Sequence, residues 1–286
     1  MQLEDLPPVD GGVVHRFVDV RGVRLHVAEA GPGPAAPPLL LVHGWPQHWW
    51  SWRKVIPRLA ERYRVLAVDL RGWGWSDAPP GPYDKQTFAD DLLGFLDAEN
   101  IDRVSILAHD WGGYASFLLA MDHPDRVERL TALDIPPPFR PPVRPASLLL
   151  PVMLSYQIPI VSPFIGYRLH RNGQLVRAIL KLGAGSNFSF TEEETRAFVE
   201  PLREPARARA SVRNYRTFLA REAGRPRHTA SDLKVPTTLI MADGLFYRVA
   251  RPDPSPTLDV QMIPGTGHFL AEQVPDEVIA RSGLMA

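Results

Sequence analysis

The sequence predicts an α/β protein: a mostly parallel, twisted sheet flanked by helices and interrupted by one helical insertion. Three observations carry this. Continuous apolar runs at 39–42, 65–68, 104–108 and 130–133 are the mark of strands buried on both faces of a parallel sheet. Segments of helical character at 50–62, 87–99 and 112–122 separate those runs, as right-handed crossovers require. After Asp134 the alternation stops, and it returns only at 237–241 and 260–263.

In chain order, two β-branched runs at 17–20 and 23–28 flank Arg21-Gly22 and read as a hairpin. The four apolar runs follow, with the three helical segments between them. Pro136, Pro137, Pro138, Pro141, Pro142 and Pro145 then mark a boundary, and 147–223 is helical in character with no convincing strand. The chain thus divides into one core domain, 1–135 with 234–286, and a helical cap at 136–233. At 286 residues it is long enough to bury one large core.

Composition narrows the function. The formal net charge is zero, so the total shows no footprint for nucleic acid or an anionic membrane, and a small neutral molecule is the natural partner. An arginine-rich run at 196–227 is interleaved with or flanked by Glu192, Glu193, Glu194, Glu200, Glu204 and Glu222, the pattern of a solvated helix face. Without cysteine there is no disulfide framework, thiol nucleophile or thiolate metal site, which fits a cytoplasmic protein. The first 14 residues lack the apolar core of a secretory signal, and the stretch 146–154 is broken by Pro151 and too short to span a bilayer. His15, His26, His170 and His228 have no ligand spacing, so no metal or other cofactor is expected. Oligomeric state is not legible.

The chemistry concentrates in three short motifs. Ala108-His109-Asp110-Trp111-Gly112-Gly113 stands where a buried strand gives way to a helix. Small residues around a central nucleophile allow a sharp strand-to-helix turn that lifts one side chain above the sheet, here Asp110. A helix N-cap is the plainer reading of that aspartate. His43-Gly44-Trp45-Pro46 follows an earlier strand, where a backbone N–H can join the N–H after the nucleophile in an oxyanion hole. Those donors would be Trp45 and Trp111. Gly265-Thr266-Gly267-His268 follows the last strand and delivers a histidine late in the chain.

These motifs, with Asp69-Leu70-Arg71-Gly72-Trp73-Gly74-Trp75-Ser76-Asp77, make the sequence resemble the epoxide hydrolase and haloalkane dehalogenase branch of the α/β-hydrolases over about residues 15–280. The resemblance implies the α/β-hydrolase fold with a cap, Asp110 as nucleophile and His268 as general base. Asn214-Tyr215-Arg216 resembles the family's second cap-tyrosine motif and makes Tyr215 the proton donor for an opening epoxide. The first cap tyrosine falls, by alignment on Tyr156-Gln157-Ile158-Pro159, at Val152, a departure for which Tyr156 or Tyr167 would compensate. Trp45, Trp111, Val152 and Tyr156 are the expected substrate contacts, beneath a cap lined by 148–160. The position after His43-Gly44 holds Trp45 where many haloalkane dehalogenases carry Asn or Glu, and the arginines of fluoroacetate dehalogenases are absent at Trp111 and Tyr114.

A carboxylate nucleophile has chemical consequences of its own. It is already ionised at neutral pH, with a reference pKa of about 3.9, but it is a weak attacker. On an ester carbonyl it would gain only an anhydride, whereas at the saturated carbon of an epoxide or alkyl halide it makes an alkyl ester that activated water can cleave. Epoxide hydrolysis is the leading expectation, with dehalogenation or another Asp-nucleophile hydrolysis as the alternative. A binding protein on the same fold is a third reading. For the acid that orients His268, the family resemblance offers the turn after the penultimate strand, Ala242-Asp243-Gly244-Leu245, or Asp134 after the preceding one. The first puts Leu245 at the required position and Asp243 two residues early, so Asp134 is expected.

Overall fold

The computed structural model describes residues 12–285 except 141, 150, 152–153, 163–164 and 226, together with 6, 7 and 9. Eight strands form one sheet: β1 (Val14–Val20), β2 (Val23–Ala30), β3 (Pro38–Val42), β4 (Arg64–Val68), β5 (Val104–His109), β6 (Val127–Leu133), β7 (Thr237–Ala242) and β8 (Leu258–Ile263). Their order is β1-β2-β4-β3-β5-β6-β7-β8, and β2 is antiparallel to both its neighbours while the pairs from β4 to β8 are parallel. Leu39, Leu40, Leu41, Val65, Leu66 and Ile106 are fully buried, because helices cover both faces, and past Pro38 and Arg64 at their starts these strands are buried throughout.

Helices α1 (Ile56–Leu59), α2 (Lys85–Ala98) and α3 (Asp110–Asp122) alternate with the central strands. The expected single helix at 50–62 is instead a 3-10 turn, Trp49–Trp52, followed by α1. Pro57 is the reason: its ring excludes the carbonyl four residues back, so it opens a helix rather than lying inside one. Trp49 and Trp52 turn fully into the core.

Between β6 and β7 the chain is helical: α4 (Gln157–Val161), α5 (Ile165–Arg171), α6 (Gln174–Gly183), α7 (Glu192–Leu202) and α8 (Pro205–Thr217). After β7 come α9 (Leu245–Ala250), α10 (Leu270–Gln273) and α11 (Pro275–Ser282). The insert is not a uniformly solvated surface. Arg207 is buried and donates to the carbonyls of Gly74 at 2.7 Å and Ser76 at 2.9 Å, and Glu222 pairs with Lys85 of α2 at 3.1 Å. Glu194 is likewise taken up by Arg53. The even charge pattern hid which members turn inward to meet orphan partners on the core. No single helix among the described residues is long and apolar enough to cross a membrane.

The sheet order decides where a site can form. Both β4 and β5 follow β3 in sequence, yet they lie on opposite sides of it, so the connections leave β3 and β5 in opposite directions and open a crevice beyond their carboxyl ends. The loops carrying Trp45 and Asp110 begin there.

Candidate active site

Asp110 follows β5 directly, with φ at 47°, in the left-handed region that an aspartate enters only when its surroundings hold it there. Two glycines permit this. A Cβ on Gly112 would stand 2.2 Å from the His43 carbonyl oxygen, so α3 can press against the end of β3 only without one. A Cβ on Gly44 would meet the Asp110 side chain at 2.3 Å. This close approach brings the Trp45 N–H to Asp110 Oδ2 at 2.9 Å, and the Trp111 N–H also bonds the carboxylate. Burial raises the Asp110 pKa, against the lowering effects of His268, these two N–H groups and Lys85.

Asp134 extends from β6, also with a positive φ, of 45°. Its Oδ1 accepts from Ala242 N at 3.0 Å, and its Oδ2 meets His268 Nδ1 at 2.7 Å. Both carboxylate oxygens are thus engaged. Asp243 is exposed and accepts from Gly265 N at 3.3 Å, and Leu245 is 41% exposed. The His268 backbone is fixed from two sides, by its N–H to the Gly183 carbonyl of the insert at 2.7 Å and by His109 Nε2 on its carbonyl at 2.9 Å. Burial disfavours the imidazolium, but the Asp134 hydrogen bond and the charges of Asp134 and Asp110 outweigh it, and the His268 pKa is raised. The side chain remains 26% exposed, enough for water to reach it.

Tyr215 descends from α8 between the two tryptophans, its ring 5.1 Å from Trp45 and 5.6 Å from Trp111, both edge to face. The Tyr156 ring lies 6.4 Å away, edge to face, and the two phenols act on each other's ionisation. Burial first, and then the Asp110 charge, push the Tyr156 pKa up to about 12; burial, Tyr156 and Asp110 push that of Tyr215 well above the ordinary phenol value. Both remain protonated donors at neutral pH. The Trp45 indole N–H is buried without a partner among the described residues, and that of Trp111 faces Tyr215 without a well-formed bond. The fold therefore assembles Asp110, His268, Asp134, Trp45, Trp111, Tyr215 and Tyr156 in one place. Val152 lies outside the described residues, and Tyr167 stands apart, beneath Arg171 and Arg209.

Sequence reasoning overlooked Lys85. Its ammonium is fully buried, 4.2 Å from the Trp111 ring centroid and 3.1 Å from Glu222, and its charge acts on Asp110. The signal was present: Lys85 shares the i, i+3, i+4, i+7 stripe of Phe88, Ala89 and Leu92, the buried face of α2. His109, whose ring centroid is 4.5 Å from that of His268, is adjacent to the nucleophile by sequence, but its partner arrives from 159 residues away and no local pattern announces it.

Comparison with known proteins agrees with this geometry. Residues 37–241 match the family described as alpha/beta hydrolase fold. A soluble epoxide hydrolase of Corynebacterium sp. (strain C12) is 30% identical over 280 residues, 93% of this chain and 95% of that protein. The bifunctional epoxide hydrolase 2 of Sus scrofa is 38% identical over 157 residues, which is 52% of this chain but 28% of that longer protein. The solved structure of epoxide hydrolase CorEH without ligand superposes with a TM-score of 0.76 at 28% identity, covering 94% of this chain and 96% of that one. An enzyme site built on an aspartate elbow, and relatives of this kind along nearly the whole chain, lead to one assignment: the protein is an α/β-hydrolase, a member of the branch that holds the epoxide hydrolases and haloalkane dehalogenases.

Proposed function

We propose that the protein opens an epoxide to a vicinal diol through an alkyl ester on Asp110. The observation that carries this is the buried phenol Tyr215, set by the insert between the rings of Trp45 and Trp111, with the more exposed Tyr156 ring 6.4 Å from it. Asp110 Oδ2 is held by Trp45 N–H, so Oδ1 attacks a ring carbon, the carbon–oxygen bond breaks, and the alkoxide takes a proton from Tyr215. His268 then takes a proton from water, the hydroxide adds to the Asp110 carbonyl carbon, and the oxyanion is held by the Trp45 and Trp111 N–H groups. Collapse of the tetrahedral species restores the carboxylate and frees the diol, and the proton on His268 returns to Tyr215 through solvent. Asp134 keeps the imidazole in the tautomer that leaves Nε2 free to accept. The helical segment 136–233 serves as the lid, and the wall of Trp45, Trp111 and the two tyrosines suits an apolar or aromatic substrate. No step calls for a cofactor.

Displacement of halide is the second reading, favoured by the two poorly satisfied indole N–H groups. One experiment separates the two. Styrene-type epoxides are offered beside a haloalkane panel, with single turnovers run in oxygen-18 water. Diol should form, with label entering Asp110, because water attacks the ester carbonyl; an unlabelled Asp110 after turnover would exclude the ester. His268→Gln should let the ester accumulate. Tyr215→Phe should slow diol formation by on the order of 10² to 10⁴ and leave halide release nearly unchanged.

A further inference from the structure

The zero net charge conceals a separation. Residues 136–233 hold fourteen arginines and one lysine against seven acidic side chains, a surplus of eight positive charges, and the rest of the chain carries the matching deficit. On the core, Arg16, Arg21, Arg53, Arg64 and Arg71 all have carboxylate partners. On the insert, Arg168, Arg209, Arg213 and Arg216 are exposed and have no carboxylate partner among the described residues.

These charges share a face. Arg209, Arg213 and Arg216 recur at i, i+4 and i+7 along α8, opposite the buried Arg207, Ala210, Ser211 and Asn214. On α5, Ile165, Arg168 and Arg171 are exposed at i, i+3 and i+6, and Arg171 and Arg209 both stand 6.0 Å from the Tyr167 ring centroid, so the two stripes meet. Arg216 donates to the Val161 carbonyl at 2.8 Å, which joins α4 to the same surface. Ile158 on α4 and Ile165 on α5 are 67% and 57% exposed, bulky aliphatic groups beside guanidinium groups.

We propose that this face of the insert docks on an anionic lipid surface, with the arginines among the headgroups and Ile158 and Ile165 below them. Basic residues interleaved with aliphatic ones are the signature of an interfacial helix, whereas single-stranded nucleic acid is met by open aromatic stacking platforms, and the Tyr167 ring between the stripes is flanked by Arg171 and Arg209. The inward side of the same α8 carries Tyr215. Docking would hold the pocket beside the phase in which apolar molecules concentrate, and it stands whether or not the epoxide chemistry does.

The test is co-sedimentation of the full chain with vesicles of phosphatidylcholine alone or mixed with phosphatidylglycerol, at low and high salt. Binding is expected only with phosphatidylglycerol, and it should fade as salt rises. Arg209→Gln with Arg213→Gln should weaken it by about 25-fold, at about fivefold per arginine near an anionic bilayer. Ile165→Ser should also weaken it, with circular dichroism melting unchanged in both variants. Absence of binding to anionic vesicles, or binding that the arginine pair leaves untouched, would overturn the proposal. So would two other patterns: equal capture of a single-stranded oligonucleotide with no effect of Ile165→Ser, or self-association in ultracentrifugation that the arginine pair abolishes.

Discussion

Asp110 and Asp134 both sit in the left-handed region, where a non-glycine backbone costs on the order of 1–3 kcal/mol, and each is bonded to a distant backbone N–H, Asp110 to the loop after β3 and Asp134 to β7. The geometry gives Asp134 a task that Asp243 cannot perform from its exposed position. Asp134→Asn should slow cleavage of the alkyl ester by about 10⁴, while alkylation of Asp110 survives and Asp243→Asn is mild. A pH profile adds a signed test. His268 must be neutral to act, so ester cleavage falls as pH drops through its raised pKa. Loss of the Asp134 charge removes the main raising influence, and the acid limb of the residual rate should move to lower pH in pre-steady-state measurements. A limb that stays in place, or Asp243→Asn as the inactive variant, would reverse the assignment.

At the scale of elements, the insert is tied to the core by charges that leave water. Lys85 at the start of α2 meets Glu222 beyond α8, Arg207 reaches the loop after β4, and His48 Nε2 lies 3.0 Å from the Ala197 carbonyl of α7. A buried pair resists the removal of one partner far more than exchange of both for apolar groups. Glu222→Gln should therefore cost about 3–5 kcal/mol by leaving an unpaired ammonium, and Lys85→Met with Glu222→Leu should recover most of it in denaturant unfolding. Lys85 also lowers the Asp110 pKa. In the double variant the acid limb of Asp110 alkylation should shift to higher pH, a readout that packing alone would not move.

Across the whole molecule, Asp69 joins the turn at Trp49, its own loop at Trp75 and strand β2. Its carboxylate accepts from the N–H groups of Trp49 at 2.7 Å and Trp75 at 2.9 Å and meets His26 Nδ1 of β2 at 2.8 Å, all without solvent. Burial raises its pKa, but His26 and the charges of His26, His48 and His43 prevail, and the net shift is downward. With the folded pKa below the unfolded value, its contribution is present above the unfolded carboxylate range and is lost as pH falls through the folded one. Asp69→Ala should cost about 3–5 kcal/mol near neutrality, because it orphans buried donors, and this deficit should shrink in acid. A deficit in urea unfolding that did not depend on pH would show that lost packing, not the charge, was responsible.

The sequence by itself determined the layers, the three motifs and the placing of Asp110 at the strand-to-helix turn, because those depend on local rules: apolar runs for strands buried on both faces, small residues at an elbow, and the order of the motifs along the chain. Asp134 was legible as well, through the failure of Leu245 to offer an acid. The break at Pro57 is local too, but the apolar run around it reads as one helix until the tryptophans are seen turning inward. What only the tertiary structure decided were pairings between charges far apart in sequence. Nothing near Lys85 predicts Glu222, and the choice of Tyr156 over Tyr167 as the neighbour of Tyr215 came only with the packing. Nor does a balanced total reveal that the positive charges gather on one face of the insert. Such outcomes depend on which groups the fold removes from water together, and desolvation is a property of the packed whole rather than of any segment.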